Sequence, residues 1–89
     1  MASSVIHNRF KVTELQMAIG SLTWGSSGAW YATYNNWQAT GKILSVAITN
    51  WSGLAGVTIP YIDRQKIAFM ASAKPTASGS MTVRIVEEV

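Results

Sequence analysis

Four tryptophans and two tyrosines fall between Trp24 and Trp51, among Gly, Ser, Thr and Asn residues and beside a single charge, Lys42. Flat rings set among small polar residues suit stacking on a neutral, hydroxyl-rich ligand. The same side chains suit a core or a subunit interface, because Trp and Tyr join an apolar body to a polar tip. Trp24, Trp30, Tyr31, Tyr34, Trp37 and Trp51 are therefore the candidate ligand-binding rings. Asn35, Asn36 and Asp63, together with Asn50, are candidates for the polar contacts that orient a saccharide. Each of these four has an alternative role in turn formation, through side chain to backbone hydrogen bonds.

Catalytic machinery is hard to assemble from this sequence. A Ser-His-Asp relay would need His7, near the start of the chain, with Asp63 as its orienting carboxylate. The plainer reading of His7 is an exposed residue at a strand edge. Glycoside hydrolysis needs two carboxylates flanking the scissile bond, and the candidates are Glu14, Asp63, Glu87 and Glu88. Glu87 and Glu88 are neighbours on a strand pattern and point to opposite faces. Gly25-Ser-Ser-Gly28 leads into a strand pattern rather than a helix, so it reads as a hairpin connection and not as a phosphate cradle. The expectation is a non-enzymatic chain with no catalytic residues, no metal and no cofactor.

Composition narrows the class further. With 89 residues, one domain spanning 1–89 is expected, residues 1–7 being set apart as a remnant or the stump of a longer chain. A domain of this size buries only roughly 60–65% of the surface its unfolded chain exposes. Cysteine is absent, which removes disulfides and thiolate metal sites. Association with copies of itself is then the expected support. Charged residues are 12% of the chain, about half the usual share, so the surface is either neutral or partly hidden. The net charge of +3 comes from scattered basic residues without a run, which argues against nucleic acid as a partner. No stretch approaches the ~20 apolar residues of a membrane-spanning helix, and the start lacks the pattern of a secretory signal.

Alternation with period two dominates the sequence and predicts strands. In Lys42–Asn50, Leu44, Val46 and Ile48 share one face. Lys66–Ala73 and Ser80–Glu87 alternate likewise and are expected to form an antiparallel hairpin around the turn formers of 74–79. Arg84 to Glu88 reads as a solvated strand end. Asn8–Thr13 is a strand, and alternation through Leu15, Met17 and Ile19 favours strand over a helical turn there. Leu22–Trp24 and Ala29–Tyr34 pair around 25–28. Trp30, Ala32 and Tyr34 lie on one face of their strand, and Tyr31 and Thr33 on the other. Val57–Ile59 is a short strand stopped by Pro60. Six to eight short strands with frequent turns describe an all-β fold, a small antiparallel sandwich or barrel of jelly-roll-like type.

The order Gly41-Lys-Ile-Leu-Ser-Val-Ala-Ile-Thr-Asn50, then Val57-Thr-Ile-Pro-Tyr-Ile62, Lys66-Ile-Ala-Phe-Met-Ala-Ser72 and Gly79-Ser-Met-Thr-Val-Arg-Ile-Val86 resembles the C-terminal head domains of bacteriophage and prophage tail fibres and receptor-binding proteins. The resemblance covers 41–89. It implies a homotrimer at a fibre tip, carried on the virion, attaching to a bacterial surface polysaccharide or protein. These heads share no binding motif, so no site residue is carried over, and residues 1–40 match nothing in them. The alternatives are a structural virion module (head fibre, capsid decoration or baseplate), a free carbohydrate-binding module, and an OB-type barrel that stacks single-stranded bases.

Overall fold

The computed structural model describes the backbone of residues 2–7, 9–53 and 56–89, and the side chains of 9–53 and 56–89. The side chain of His7 therefore lies outside the described residues. Eight strands build the molecule: β1 (Ala2–His7), β2 (Phe10–Ala18), β3 (Gly25–Ser27), β4 (Ala29–Tyr34), β5 (Lys42–Ser52), β6 (Thr58–Ile62), β7 (Ile67–Ala71) and β8 (Ser80–Glu88), with one 3₁₀ turn at Ile19–Ser21. They form two four-stranded sheets, in the orders β1-β2-β8-β5 and β3-β4-β7-β6, and every pairing is antiparallel. The all-β class is as expected, and the architecture is sandwich-like. No helix among the described residues is long and apolar enough to cross a membrane.

Period-two alternation places the core. Leu15 and Met17 of β2, Ile67 and Phe69 of β7, and Met81, Val83 and Ile85 of β8 face each other between the sheets. The most thoroughly buried strands, β7 and β8, are interior to their sheets. Burying one Leu, Ile or Phe side chain contributes about 1.5–3 kcal/mol, so this two-layer contact is the main stabilising term.

Several local expectations need correction. Residues 66–88 do not form a hairpin, because β7 and β8 belong to different sheets. Each strand buries one face, and the connection carries the chain from one layer to the other. It is tied down there by Thr76 N–H donating to the Gly53 carbonyl (2.9 Å), Ile19 N–H to Gly79 (2.9 Å) and Gly20 N–H to Ala77 (3.1 Å). The hairpin instead joins β6 to β7. Pro60 does not end β6; it sits within this edge strand, where the register with β7 is interrupted between Thr58 and Tyr61. In β5, a register shift between Ile43 and Ser45 brings Ile43, Val46 and Ile48 against the core and turns Leu44 outward. β2 runs unbroken from Phe10 to Ala18, with Thr13, Leu15 and Met17 on its buried face and Phe10 exposed on the other, and Ala2–His7 pairs with it over six positions. Finally, Glu87 is not solvated: it continues the core-facing row of β8 and is completely buried, while Glu88 is exposed.

Candidate functional site

The outward face of the β3-β4-β7-β6 sheet carries two of the most exposed rings in the molecule. Strand register aligns Tyr31, Met70 and Thr58 in one row, and Thr33, Ala68 and Tyr61 in the next. Tyr31 is 43% and Tyr61 51% exposed. Their strands are two apart, about 10 Å laterally. The residues between them are Met70 and Ala68, so the face is shallow and apolar between two phenol rings. Lys66 Nζ lies 5.6 Å from the centre of the Tyr61 ring, within cation–π range.

Asp63 sets the position of Tyr61. Its Oδ1 accepts the backbone N–H groups of Gln65 and Lys66, both at 2.8 Å, and its Oδ2 accepts the Tyr61 hydroxyl at 3.0 Å. This Asx arrangement closes the β6–β7 hairpin. The Gln65 amide, ahead of the Tyr61 hydroxyl, Lys66 amide and Lys66 charge, outweighs partial desolvation and holds the Asp63 carboxyl below its ordinary range. The same carboxylate, accepting the phenol proton, raises Tyr61 above the usual tyrosine value.

A polar groove of ≈ 580 Å³ adjoins Tyr31 along the edge of β4. It arises because β3 pairs only with Ala29–Tyr31, which leaves Ala32–Tyr34 with a sheet partner on the β7 side alone. Trp24 packs on the core and donates its indole N–H to the Ile19 carbonyl (3.2 Å), so the segment before β3 stays apart from this edge. Leu22, Thr23, Tyr31, Tyr34, Asn35 and Asn36 line the opening. A second hollow of ≈ 360 Å³ shares Asn35 and continues past Gln38, Asp63 and Lys66.

The loop bearing these amides is held from below. Trp37 is 5% exposed and donates its N–H to the Asp63 carbonyl at 2.8 Å. Ala39 N–H donates to the Arg64 carbonyl (2.8 Å), and the Arg64 guanidinium donates to the Gly41 carbonyl (2.8 Å). Glu87 Oε2 accepts the N–H groups of Thr40 (2.6 Å) and Gly41 (2.8 Å), while its Oε1 is buried without a partner. Lys11 Nζ adds a bond to the Thr40 hydroxyl at 2.7 Å.

The structure thus sorts the ten residues the sequence singled out, with Asn50 exposed on β5 away from the polar groove. Tyr31, Tyr34, Asn35 and Asn36 gather at the polar groove. Asp63 forms the turn beside it, and Trp37 is a core residue beneath it. Trp24 is half-buried against the core, and Trp30 is half-buried with Lys74 Nζ 5.7 Å from its ring centre. Trp51 lies away from the others, 59% exposed between β5 and β6. Sequence reasoning missed Tyr61, and with it Lys66. The signal was present in the phasing of Ile59 and Ile62 toward the core, hidden by the interrupted register at Pro60.

Chemically, the arrangement offers ring faces, amides and hydroxyls. Asp63 is occupied by its turn and Glu87 by the loop it holds. Among the described residues, no group of three or more His, Cys, Asp or Glu is placed to hold a metal ion. Comparison of the chain with protein-family models, curated proteins and solved structures finds no match.

Proposed function

We propose that this chain is a non-enzymatic binding module that attaches to a neutral polysaccharide. Ligand would lie across the outward face bearing Tyr31 and Tyr61 and run into the amide-lined groove at Asn35 and Asn36. The observation that carries this reading is the pair of exposed tyrosines on one sheet face beside a polar groove. Sugar rings present apolar C–H faces that stack on phenols, and hydroxyls that bond to amides. The resemblance of residues 41–89 to tail-fibre heads supports attachment to a bacterial surface as the setting. The repeated crossing of the chain between its sheets supports a jelly-roll-like description of that head. Display in several copies at a fibre tip would multiply weak contacts into avidity.

The test is binding to an array of bacterial surface polysaccharides. Wild-type protein is expected to retain at least one of them, and Tyr31→Ala and Tyr61→Ala each to weaken that retention by about tenfold, equivalent to about 1.4 kcal/mol. Both rings are solvent-facing, so both variants should keep the circular dichroism spectrum of the wild type. Retention unaffected by either change, or no retained polysaccharide at all, overturns the reading. A structural virion module is the second reading, and the exposed apolar flank at Trp51 favours it.

A further inference from the structure

Val46, Ile48, Trp51, Val57 and Ile59 line an apolar groove of ≈ 370 Å³ between β5 and β6, on the flank away from β3 and β4. Both strands are the outermost of their sheets on that side. Register sets Trp51 opposite Met81, on the core side of its sheet, yet its ring is 59% exposed. We propose that this flank is the seat of a second copy of the chain. In this assembly β5 pairs antiparallel with β5 of the copy across a two-fold axis, and each Trp51 lies against the other protomer's groove.

Three observations favour a second copy over another partner. First, Ile43 to Ile62 contains no charged residue. A two-fold contact sets each side chain near its own kind, so a charge-free surface meets no self-repulsion there, whereas a charged partner would find nothing to pair with. Second, β5 has eleven residues and spans about 37 Å, close to the full length of a molecule measuring 40 × 21 × 19 Å. Over that length and a depth of 19–21 Å, the flank is of the same order as the ~800 Å² that each partner buries in a stable interface of standard size. Third, Pro60 removes a backbone donor from β6, which leaves β5 as the pairing edge. Self-pairing of one edge is isologous and closes at two copies.

Sedimentation equilibrium at micromolar concentration tests the proposal. The expected wild-type mass is about twice the 9.6 kDa of the chain. Trp51→Ala removes the exposed ring, and Ala47→Lys sets two like charges near the axis. Each is expected to sediment at the mass of one chain while keeping the circular dichroism spectrum of the wild type. A wild-type mass of one copy, or of the three that the tail-fibre resemblance implies, overturns the proposal, and so does a dimer that survives both substitutions. Trp51→Ala leaves the core intact, so it remains informative if Ala47→Lys fails to fold. The proposal does not rest on polysaccharide binding: Tyr31→Ala and Tyr61→Ala are expected to leave the dimer mass unchanged.

Discussion

Asn36-Trp37-Gln38 and Asn50-Trp51-Ser52 are close to interchangeable as text, yet the two indoles have opposite fates. Trp37 is sealed beneath a loop, its N–H taken by the Asp63 carbonyl, and the loop is pinned by Arg64 and Glu87. Trp51 is the penultimate residue of an edge strand, faces the core side of its sheet, and is left 59% exposed. What buries an indole here is a backbone carbonyl in reach and a crossing segment held by bonds from another sheet. Local sequence supplies neither. The comparison separates a clamped end of the sandwich, which positions the candidate site, from an open flank, which is free to meet another surface.

The largest expected contrast is between the two tryptophans themselves. Trp37→Ala should destabilise the protomer by about 3–5 kcal/mol, because it opens a cavity in the core. Trp51→Ala should change the stability of the isolated protomer by less than about 1 kcal/mol. Urea unfolding monitored by far-ultraviolet circular dichroism, at concentrations low enough to suppress association, measures both. Equal losses would dissolve the distinction.

Next comes the carboxylate under the loop. Glu87→Ala leaves the Thr40 and Gly41 amides without their acceptor, at a cost of about 2–3 kcal/mol. Glu87→Gln keeps a carbonyl oxygen at that place and should lose less. Amide hydrogen exchange should show faster exchange at Thr40 and Gly41 in the alanine variant, with exchange at Val83 following only the global stability.

A smaller effect is expected at two glycines. A Cβ at Gly41 would collide with the Glu88 carbonyl oxygen, and the surrounding clamp leaves little room to yield. Gly41→Ala should cost about 1–3 kcal/mol. At Gly25 in β3, an added Cβ meets nothing within 4 Å, so Gly25→Ala should stabilise by about 0.5 kcal/mol through reduced chain entropy. Thermal melts of the two variants should move in opposite directions.

The smallest contrast is in acid. Asp63 has a lower pKa in the folded chain than in the unfolded one, chiefly through the Gln65 amide. Its turn therefore contributes fully above the ordinary aspartate value of about 3.9, and that contribution fades as pH falls below it and through the depressed folded value. Asp63→Asn removes this dependence. The melting-temperature advantage of the wild type over the variant should shrink as pH falls from neutral to pH 3, and a constant difference would refute the assignment.

Much of the fold was legible. Alternation through Leu15, Met17 and Ile19 and in Ser80–Glu88 marks strands with one buried face, and Tyr31 and Thr33 were separable from Trp30, Ala32 and Tyr34 by parity alone. Partnership was not legible. The short turn-rich segment after Ala71 looked like a hairpin, because nothing local distinguishes a turn within a sheet from a passage between sheets. Register shifts beside Leu44 and Pro60 likewise moved Leu44 out of the core and hid Tyr61. Of the site, the groove residues Tyr31, Tyr34, Asn35 and Asn36 were visible as a run. The role of Glu87 depends on a loop 46 residues earlier in the chain and leaves no mark on its neighbours.

The seat of β8 between β2 and β5 also governs how the molecule is made. As the chain leaves the ribosome, β2 and β5 emerge with a vacant lane between them, and the strand that fills it follows all the others described here. Before residues 80–88 arrive β2 can pair only with β1, and β5 has no sheet neighbour at all, so one layer waits while β4, β6 and β7 already have their partners. Assembly of that layer is governed by long-range closure rather than local turns, which makes it the slow step of folding. Nascent chains halted before Ser80 would present one open edge of β2 and the whole of β5 as pairing-competent ribbon, the species most exposed to mispairing with a neighbour on the same message.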